Sequence, residues 1–324
     1  MVNYSVDDIK EFENIIENSK NIAIISHMSP DGDNLGSLLA MYLALKKEGK
    51  KVIGLELDEI PKYLNFLPKI EELSNNENLN IDTLITVDCA NTKLLGELGR
   101  KVFDNSKNII NIDHHKTNEN YGDLNIVDSK ISSTCELVTN MFIDLNISFD
   151  SEISTALFTG ICTDTGRFLY NSTTQDTFKI ASLLIENGAD KNFIMERLFQ
   201  SHDLLARKLS TQILSKSEFL YNNKVVISSI TNDILDKYNL KITDLNDVIN
   251  YYRDTNEVEI SCFIKEKPEG GFKVSFRSKN HIDVSQIAES FGGGGHFSAA
   301  ACQIDGDLNE VKEKLIKRLD NIEW

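Results

Sequence analysis

Over residues 1–170 the chain alternates short apolar runs with stretches of helical periodicity. Residues 6–17 place Ile9, Phe12, Ile15 and Ile16 on one face and predict an amphipathic helix. The run 22–25 predicts a strand that ends at Ser26 and His27. A polar loop, Met28-Ser29-Pro30-Asp31-Gly32-Asp33, leads into a helix over 35–47. Strands follow over 52–57 and 81–87, a helix near Thr92, and a strand over 109–112. Helices are predicted over 135–145 and 151–162, although 156–162 alone fits a helix or a buried strand. Strand, polar loop and helix in succession predict an α/β fold: an N-terminal, mostly parallel sheet with helices on both faces.

The second half reads differently. Residues 194–216 predict one long, mostly polar helix, taken as a connector. Strands over 225–230, 258–264 and 272–276 follow, the last two as a hairpin around Pro268-Glu269-Gly270-Gly271. A short helix over 285–290 runs into four glycines, and 308–319 is a terminal amphipathic helix. The expected division is 1–188 for the first domain, 189–216 for the connector and 217–324 for a smaller α/β domain.

Composition narrows the class. The 324 residues, 41% hydrophobic and 26% charged, suit a two-domain globular protein. No apolar run approaches the ~20 residues that span a bilayer, and the N-terminus shows no signal-peptide pattern. Cys89, Cys135, Cys162, Cys262 and Cys302 form no CxxC pair, so a reduced, cytoplasmic protein is expected. A net charge of −16 argues against a long polyanion, including long duplex nucleic acid, across a broad surface. A small phosphorylated ligand held by a few local cations and metals stays compatible. A membrane partner is not expected, and a homodimer is open.

Candidate chemistry sits at the strand ends. Asp31-Gly32-Asp33 alone reads as a turn with an N-cap, and one His-His pair as surface histidines. Asp88 alone reads as a cap for the helix near Thr92. The pattern repeats, however: His27, Asp31 and Asp33 after one strand, Asp88 after another, Asp113-His114-His115 after a third, and Asp164 on a turn. Carboxylates and imidazoles without thiolates suit Mn²⁺, Mg²⁺, Co²⁺ or Fe²⁺ better than structural zinc. The seven groups His27, Asp31, Asp33, Asp88, His114, His115 and Asp164 exceed the needs of one ion. Two ions about 3.5–4 Å apart would use them, sharing a carboxylate, an arrangement made for in-line displacement at phosphorus. Ser132-Ser133-Thr134 before the 135–145 helix reads as ordinary N-capping, though a helix N-terminus is also a phosphate site.

These motifs resemble those of the DHH phosphoesterase superfamily. Asp113-His114-His115 is the triplet that names it, and His27-x-x-x-Asp31-x-Asp33, Asp88 and Asp164-Thr165-Gly166 are similar to its other metal motifs. Phe291-Gly292-Gly293-Gly294-Gly295-His296 with Ala299-Ala300 resembles the GGGGH motif of the attached DHHA1 domain. The length and the run Thr163-Asp164-Thr165-Gly166-Arg167-Phe168 most resemble the nanoRNA-degrading, pAp-hydrolysing branch (NrnA-like), whereas RecJ-type nucleases are much longer. The resemblance implies two divalent ions, foremost Mn²⁺, with Mg²⁺ or Co²⁺ as substitutes. It implies His27 and Asp31 on the first ion, Asp33, His114 and Asp164 on the second, and Asp88 bridging. His115 would stand near the substrate phosphate, with Asp113 orienting a ligand imidazole.

For the substrate side, Gly292, Gly293, Gly294 and Gly295 offer a backbone that can approach a ligand and donate N–H groups to an anion. His296, Arg167, Arg253 and Arg277 are candidate contacts, three of the chain's seven arginines among them, with Lys116 as a further cation. The resemblance departs at Phe297 and Ala301, where the family commonly has a basic residue and a glycine. Phe297 removes a phosphate contact and adds a stacking face. The expected substrates are short oligonucleotides and 3′-phosphoadenosine 5′-phosphate. Alternatives are a linear diadenylate phosphodiesterase in cyclic-dinucleotide turnover, an inorganic polyphosphatase or pyrophosphatase, and a catalytically dead nucleotide-binding regulator.

Overall fold

The computed structural model describes residues 3–76, 80–201, 203–245 and 248–322; for His296 only the backbone is described. The chain divides into two units, Met1–Ser201 and His202–Trp324.

In the first unit the elements run α1 (Val6–Asn18), β1 (Ile22–Ile25), α2 (Gly32–Lys47), β2 (Val52–Gly54), β3 (Thr83–Val87), α3 (Gly96–Asn105), β4 (Asn108–Asp113) and β5 (Leu124–Val127). Four helices close it: α4 (Thr134–Asp144), α5 (Ser151–Asp164), α6 (Gln175–Glu186) and α7 (Lys191–Phe199). The five strands form one sheet in the order β2-β1-β3-β4-β5, and every pair is parallel. Alternation along the strands sorts the side chains. Ile22, Ile24, Ile85, Val87, Ile110 and Ile112 join a core with residues of α1, α2, α4 and α5. Ala23, Ile25, Leu84 and Ile109 join a second core with Leu95 and Val102, beneath α3. Both faces are therefore covered, which is what an all-parallel sheet requires.

Strand order reverses at β1: the chain steps to β2 on one side and to β3 on the other. In open α/β sheets the crevice beyond the C-terminal strand ends at such a switch point is where ligands bind. Ile25 pairs with Thr86, and Val87 with Ile112, so β1, β3 and β4 end side by side.

Helices α2 and α5 cross closely at two glycines. A Cβ at Gly36 would meet Ala156 O at 2.5 Å, and one at Gly160 would overlap Cys135 Sγ and stand 2.8 Å from Asp33 Oδ1. Alanine fits neither position without displacing a helix.

The second unit contains α8 (Leu204–Ser215), β6 (Glu218–Leu220), β7 (Val225–Ile230), α9 (Asn232–Tyr238), α10 (Val248–Arg253), β8 (Ile260–Glu266) and β9 (Phe272–Ser278). It ends with α11 (Val284–Glu289), β10 (Gly294–His296), β11 (Ala299–Ile304) and α12 (Leu308–Leu319). Its sheet runs β10-β11-β9-β8-β7-β6, with β7–β8 parallel and the other pairs antiparallel. One sheet face packs on α11 and α12; Phe263 and Ile230 on the other pack on α8, α9 and α10. The β8–β9 hairpin forms as expected, with Gly270 and Gly271 at positive φ.

The single helix expected over 194–216 is instead two helices, α7 and α8, one in each unit. Asp203 is the reason: its side chain accepts from the N–H groups of Leu205 and Ala206, so a helix starts there rather than passing through. The apolar pattern does not predict strands β5, β6, β10 and β11.

Candidate metal centre

The loop after β1 carries the first ligand-type group. His27 Nδ1 donates to Met28 O at 2.7 Å, which turns Nε2 toward Asp31 Oδ2 at 3.9 Å and Asp88 Oδ2 at 3.4 Å. Asp31 is an N-cap as well as a member of the cluster. Its Oδ1 accepts from Asp33 N and Asn34 N at 3.0 Å, and its Oδ2 faces the imidazole. The ordinary reading of Asp31-Gly32-Asp33 and the functional one therefore both hold, one oxygen for each.

Asp33 lies on the first turn of α2 and is fully buried. Its oxygens accept from Thr134 N at 2.7 Å and Cys135 N at 2.9 Å, at the start of α4. Two of the amides that a helix N-terminus leaves without partners are thus spent on this carboxylate.

Asp88 follows β3 directly, and its backbone is held at φ +52. It caps no helix; Asn91 does that for the turn at Thr92–Leu95. Its side chain is buried with its oxygens divided: Oδ2 faces His27, while Oδ1 stands 3.6 Å from both His114 Nε2 and His115 Nδ1. Asp164, the last residue of α5, lies 3.1 Å from His114 Nε2 through Oδ2.

Beneath the two histidines, Asp113 is fully buried. It accepts from His115 Nδ1 at 2.7 Å, from Asn118 Nδ2 at 2.6 Å and from its neighbour His114 N at 2.9 Å. Asn111 Nδ2, under the turn, donates to Cys89 O at 3.2 Å and fixes the chain just past Asp88. Asn118, Asn111 and Thr134 were not singled out from the sequence as parts of the site. Asn118 stands four residues after His114 and was open to notice; Thr134 was read only within a capping stretch.

Among the described residues, three clusters bring metal-type ligand atoms within 4.8 Å of one another: His27/Asp31/Asp88, Asp88/His114/His115 and Asp33/His114/Asp164. Asp88 and His114 each belong to two of them. All seven residues grouped by the sequence meet here.

The electrostatics call for cations. Burial opposes the charge on His27, yet its hydrogen bond to Asp88 and the charges of Asp31 and Asp88 raise its pKa to about 10. Burial likewise opposes charge on His114, and Asp164, Asp88 and Asp33 raise it well above the usual imidazole range. Burial pushes Asp33 well above the carboxylate range, with the charges of Asp88 and Asp164 adding to it. Asp88 itself is lowered against its burial by the three imidazoles. Burial pushes the Cys135 thiol up, so no thiolate competes at Asp33. Oxygen and nitrogen donors without a thiolate suit hard or borderline divalent cations, which would take the place of the protons that the carboxylates draw onto the histidines.

The substrate-side residues fall elsewhere. Arg167 is exposed after α5, with its guanidinium 4.7 Å from the Phe199 ring centre. Arg253, at the end of α10, is paired with Asp254 at 2.9 Å. Arg277 lies on β9 opposite Ala299 and donates to Phe276 O. Gly292 N and Gly293 N donate to Glu289 O and Ala288 O, so these two amides turn the chain out of α11 rather than standing open for an anion. Gly294 and Gly295 pair with Ala301 and Ala300 as an edge strand. A Cβ at Gly293 would overlap Ala301 O, and one at Gly295 would meet Ala300 Cα at 2.5 Å. Gly293 and Gly295 are required by that close approach. The side chain of His296 lies outside the described residues.

A doubly covered parallel sheet, a carboxylate–imidazole cluster at its switch point and a separate mixed-sheet unit define the class. Residues 21–161 match the DHH family, N-terminal domain, and residues 222–323 match the DHHA1 domain; the chain belongs to the DHH family. It is 33% identical to the bifunctional oligoribonuclease and PAP phosphatase NrnA of Thermus thermophilus, over 91% of this chain and 88% of that one. Among solved structures it is similar to an exopolyphosphatase-related protein of Bacteroides fragilis, with TM-score 0.92 and 27% identity over 98% of this chain and 96% of that one. The Mn²⁺ complex of RecJ from Thermus thermophilus shares the fold, with TM-score 0.57 and 14% identity over 97% of this chain and 53% of that one. No helix among the described residues is long and apolar enough to cross a membrane.

Proposed function

We infer that this chain is a two-metal phosphoesterase, Mn²⁺-dependent in its working form, that hydrolyses short oligoribonucleotides and 3′-phosphoadenosine 5′-phosphate. The observation that carries the reading is the divided carboxylate of Asp88, with one oxygen toward His27 and the other toward His114 and His115. A carboxylate presented in this way suits two cations rather than one. His27 and Asp31 would hold one, Asp33, His114 and Asp164 the other, and Asp88 both. Bound there, such ions lower the pKa of a water and neutralise charge on phosphoryl oxygens.

The chain's own groups do the positioning. Asp113 fixes the ring of His115 through Nδ1, so the imidazole is presented beside Asp88 in one orientation. Thr134 N, Cys135 N and the Asn111–Cys89 contact keep Asp33 and the Asp88 turn from shifting when cations bind. Arg277, His296, Arg253 and Arg167 are the proposed substrate contacts; the Gly292–Gly295 stretch is proposed only as close-packed backbone that a substrate approaches, since two of its amides are spent on the turn after α11. The relative from Thermus thermophilus, whose name carries both activities, supports the choice of substrate.

The test is purified protein with Mn²⁺ against 3′-phosphoadenosine 5′-phosphate, short RNA, linear diadenylate and pyrophosphate. Turnover of the first two is expected to exceed that of the others, and phosphate release from pyrophosphate alone would overturn the substrate assignment.

A further inference from the structure

Thr134 hydrogen-bonds to both deeply buried carboxylates of the cluster, Asp33 and Asp88. Its backbone N–H donates to Asp33 Oδ2 at 2.7 Å, and its Oγ1 donates to Asp88 Oδ1 at 2.8 Å. It is fully buried at the first position of α4, where Ser133 is the N-cap and accepts from Glu136 N. The capping role is therefore filled by its neighbour. The Thr134 hydroxyl is left with a different task, and its contact is 46 residues away in sequence.

That contact matters because of how Asp88 is held. The backbone at Asp88 is fixed at positive φ, but its carboxylate can still rotate about the Cβ–Cγ bond, a broad and weakly restrained torsion. Rotation would take Oδ2 away from His27 and Oδ1 away from His114 and His115 together. His27 and His114 cannot prevent this by hydrogen bonding once their Nε2 atoms face a cation, and His115 Nδ1 is committed to Asp113. Thr134 Oγ1 is a neutral donor aimed at one oxygen only, so it selects one setting of the carboxylate. We propose that Thr134 is a positioning residue that fixes the rotation of the Asp88 carboxylate and thereby makes it able to serve two cations at once. The inference rests on the two-cation reading above.

The substitution that isolates this role is Thr134→Val. It keeps the shape and the backbone N–H to Asp33 and removes only the donor to Asp88. Thr134→Ser restores the donor. Mn²⁺ titration of chelator-stripped full-length protein by calorimetry is the readout, with thermal unfolding of the stripped protein as the check on the fold. The wild type is expected to bind two ions. Thr134→Val is expected to weaken the binding of at least one of them by about 10–100-fold, as loss of a residue that orients a metal ligand does, and Thr134→Ser to return to within a few fold of the wild type. If Thr134→Val does not fold, Thr134→Ala is judged by the same titration. Unchanged affinity and stoichiometry in the folded valine or alanine variant would overturn the positioning role while leaving the two-cation reading intact. So would failure of serine to restore binding. A wild type that binds no Mn²⁺, or a single ion, overturns both.

Discussion

Asp88 shows how much one residue can carry and how little of that is written in its letter. An L-residue held at positive φ costs about 1–3 kcal/mol and persists only where its surroundings enforce it, and Asp88 sits at φ +52. The enforcement is local: Asp88 N donates to Ile112 O at 3.0 Å, and Asn111 Nδ2 and the Tyr121 hydroxyl both hold Cys89 O. Aspartate and asparagine tolerate this backbone better than most side chains. Asp88→Asn is therefore expected to keep the fold and a melting temperature near that of the wild type, while kcat drops on the order of 100-fold or more because a shared ligand loses its charge. Steady-state kinetics at saturating Mn²⁺, beside a thermal melt, checks both halves; near wild-type turnover would remove Asp88 from its bridging role. The position was legible from sequence as a carboxylate ending an apolar run. Its backbone conformation and the division of its oxygens were not, because they depend on β4 and on the asparagines beneath it.

At the scale of elements, the sheet explains why the site was readable. Parallel strands buried on both faces must be continuous apolar runs, so the first polar residue after each run marks the strand's C-terminal end. Here those ends lie side by side, and Ser26-His27, Asp88 and Asp113-His114 mark them. What the pattern hid was anything set by contact between elements. The 156–162 stretch fitted two assignments; it is helical because α5 packs on α2 across Gly36 and Gly160. The four glycines looked like an open anion cradle, yet two of their amides close the turn after α11 and the others form an edge strand. The α2–α5 contact yields a direct test. Gly160→Ala would drive a methyl into Cys135 Sγ and toward Asp33 Oδ1. Chemical denaturation is expected to show a loss of about 1–3 kcal/mol, and Mn²⁺ affinity is expected to fall as Asp33 is displaced. Unchanged stability would mean that the helices slide apart at no cost.

For the molecule as a whole, charge sets the terms. The net charge is −16, and the candidate cations outside the cluster are Arg167, Arg253, Arg277 and Lys116. Arg253 is already paired with Asp254, which thins the set further. A long strand gains affinity by releasing counterions at many phosphates, whereas a chain with 50 acidic against 34 basic residues repels the parts of such a strand that lie away from local cations. A substrate of a few nucleotides avoids the penalty. kcat/KM is expected to be highest for substrates of a few nucleotides and to fall with length in a single-stranded RNA series at fixed salt with Mn²⁺. Equal degradation of long strands would show that a local field overrides the net charge.

The cluster draws its ligands from His27 to Asp164, and so from most of the first unit's length. No hairpin or single helix–loop contains enough of them to retain a divalent ion. During synthesis, a chain still lacking α5 has the Asp113-His114-His115 triplet in hand but neither Asp164 nor the helix that seats α2 beside α4. Metal capture is therefore a late event, coupled to completion of the sheet and its covering helices. Cations held there would favour the finished fold over every partial one by mass action, so an intact cluster would report that the first unit is complete.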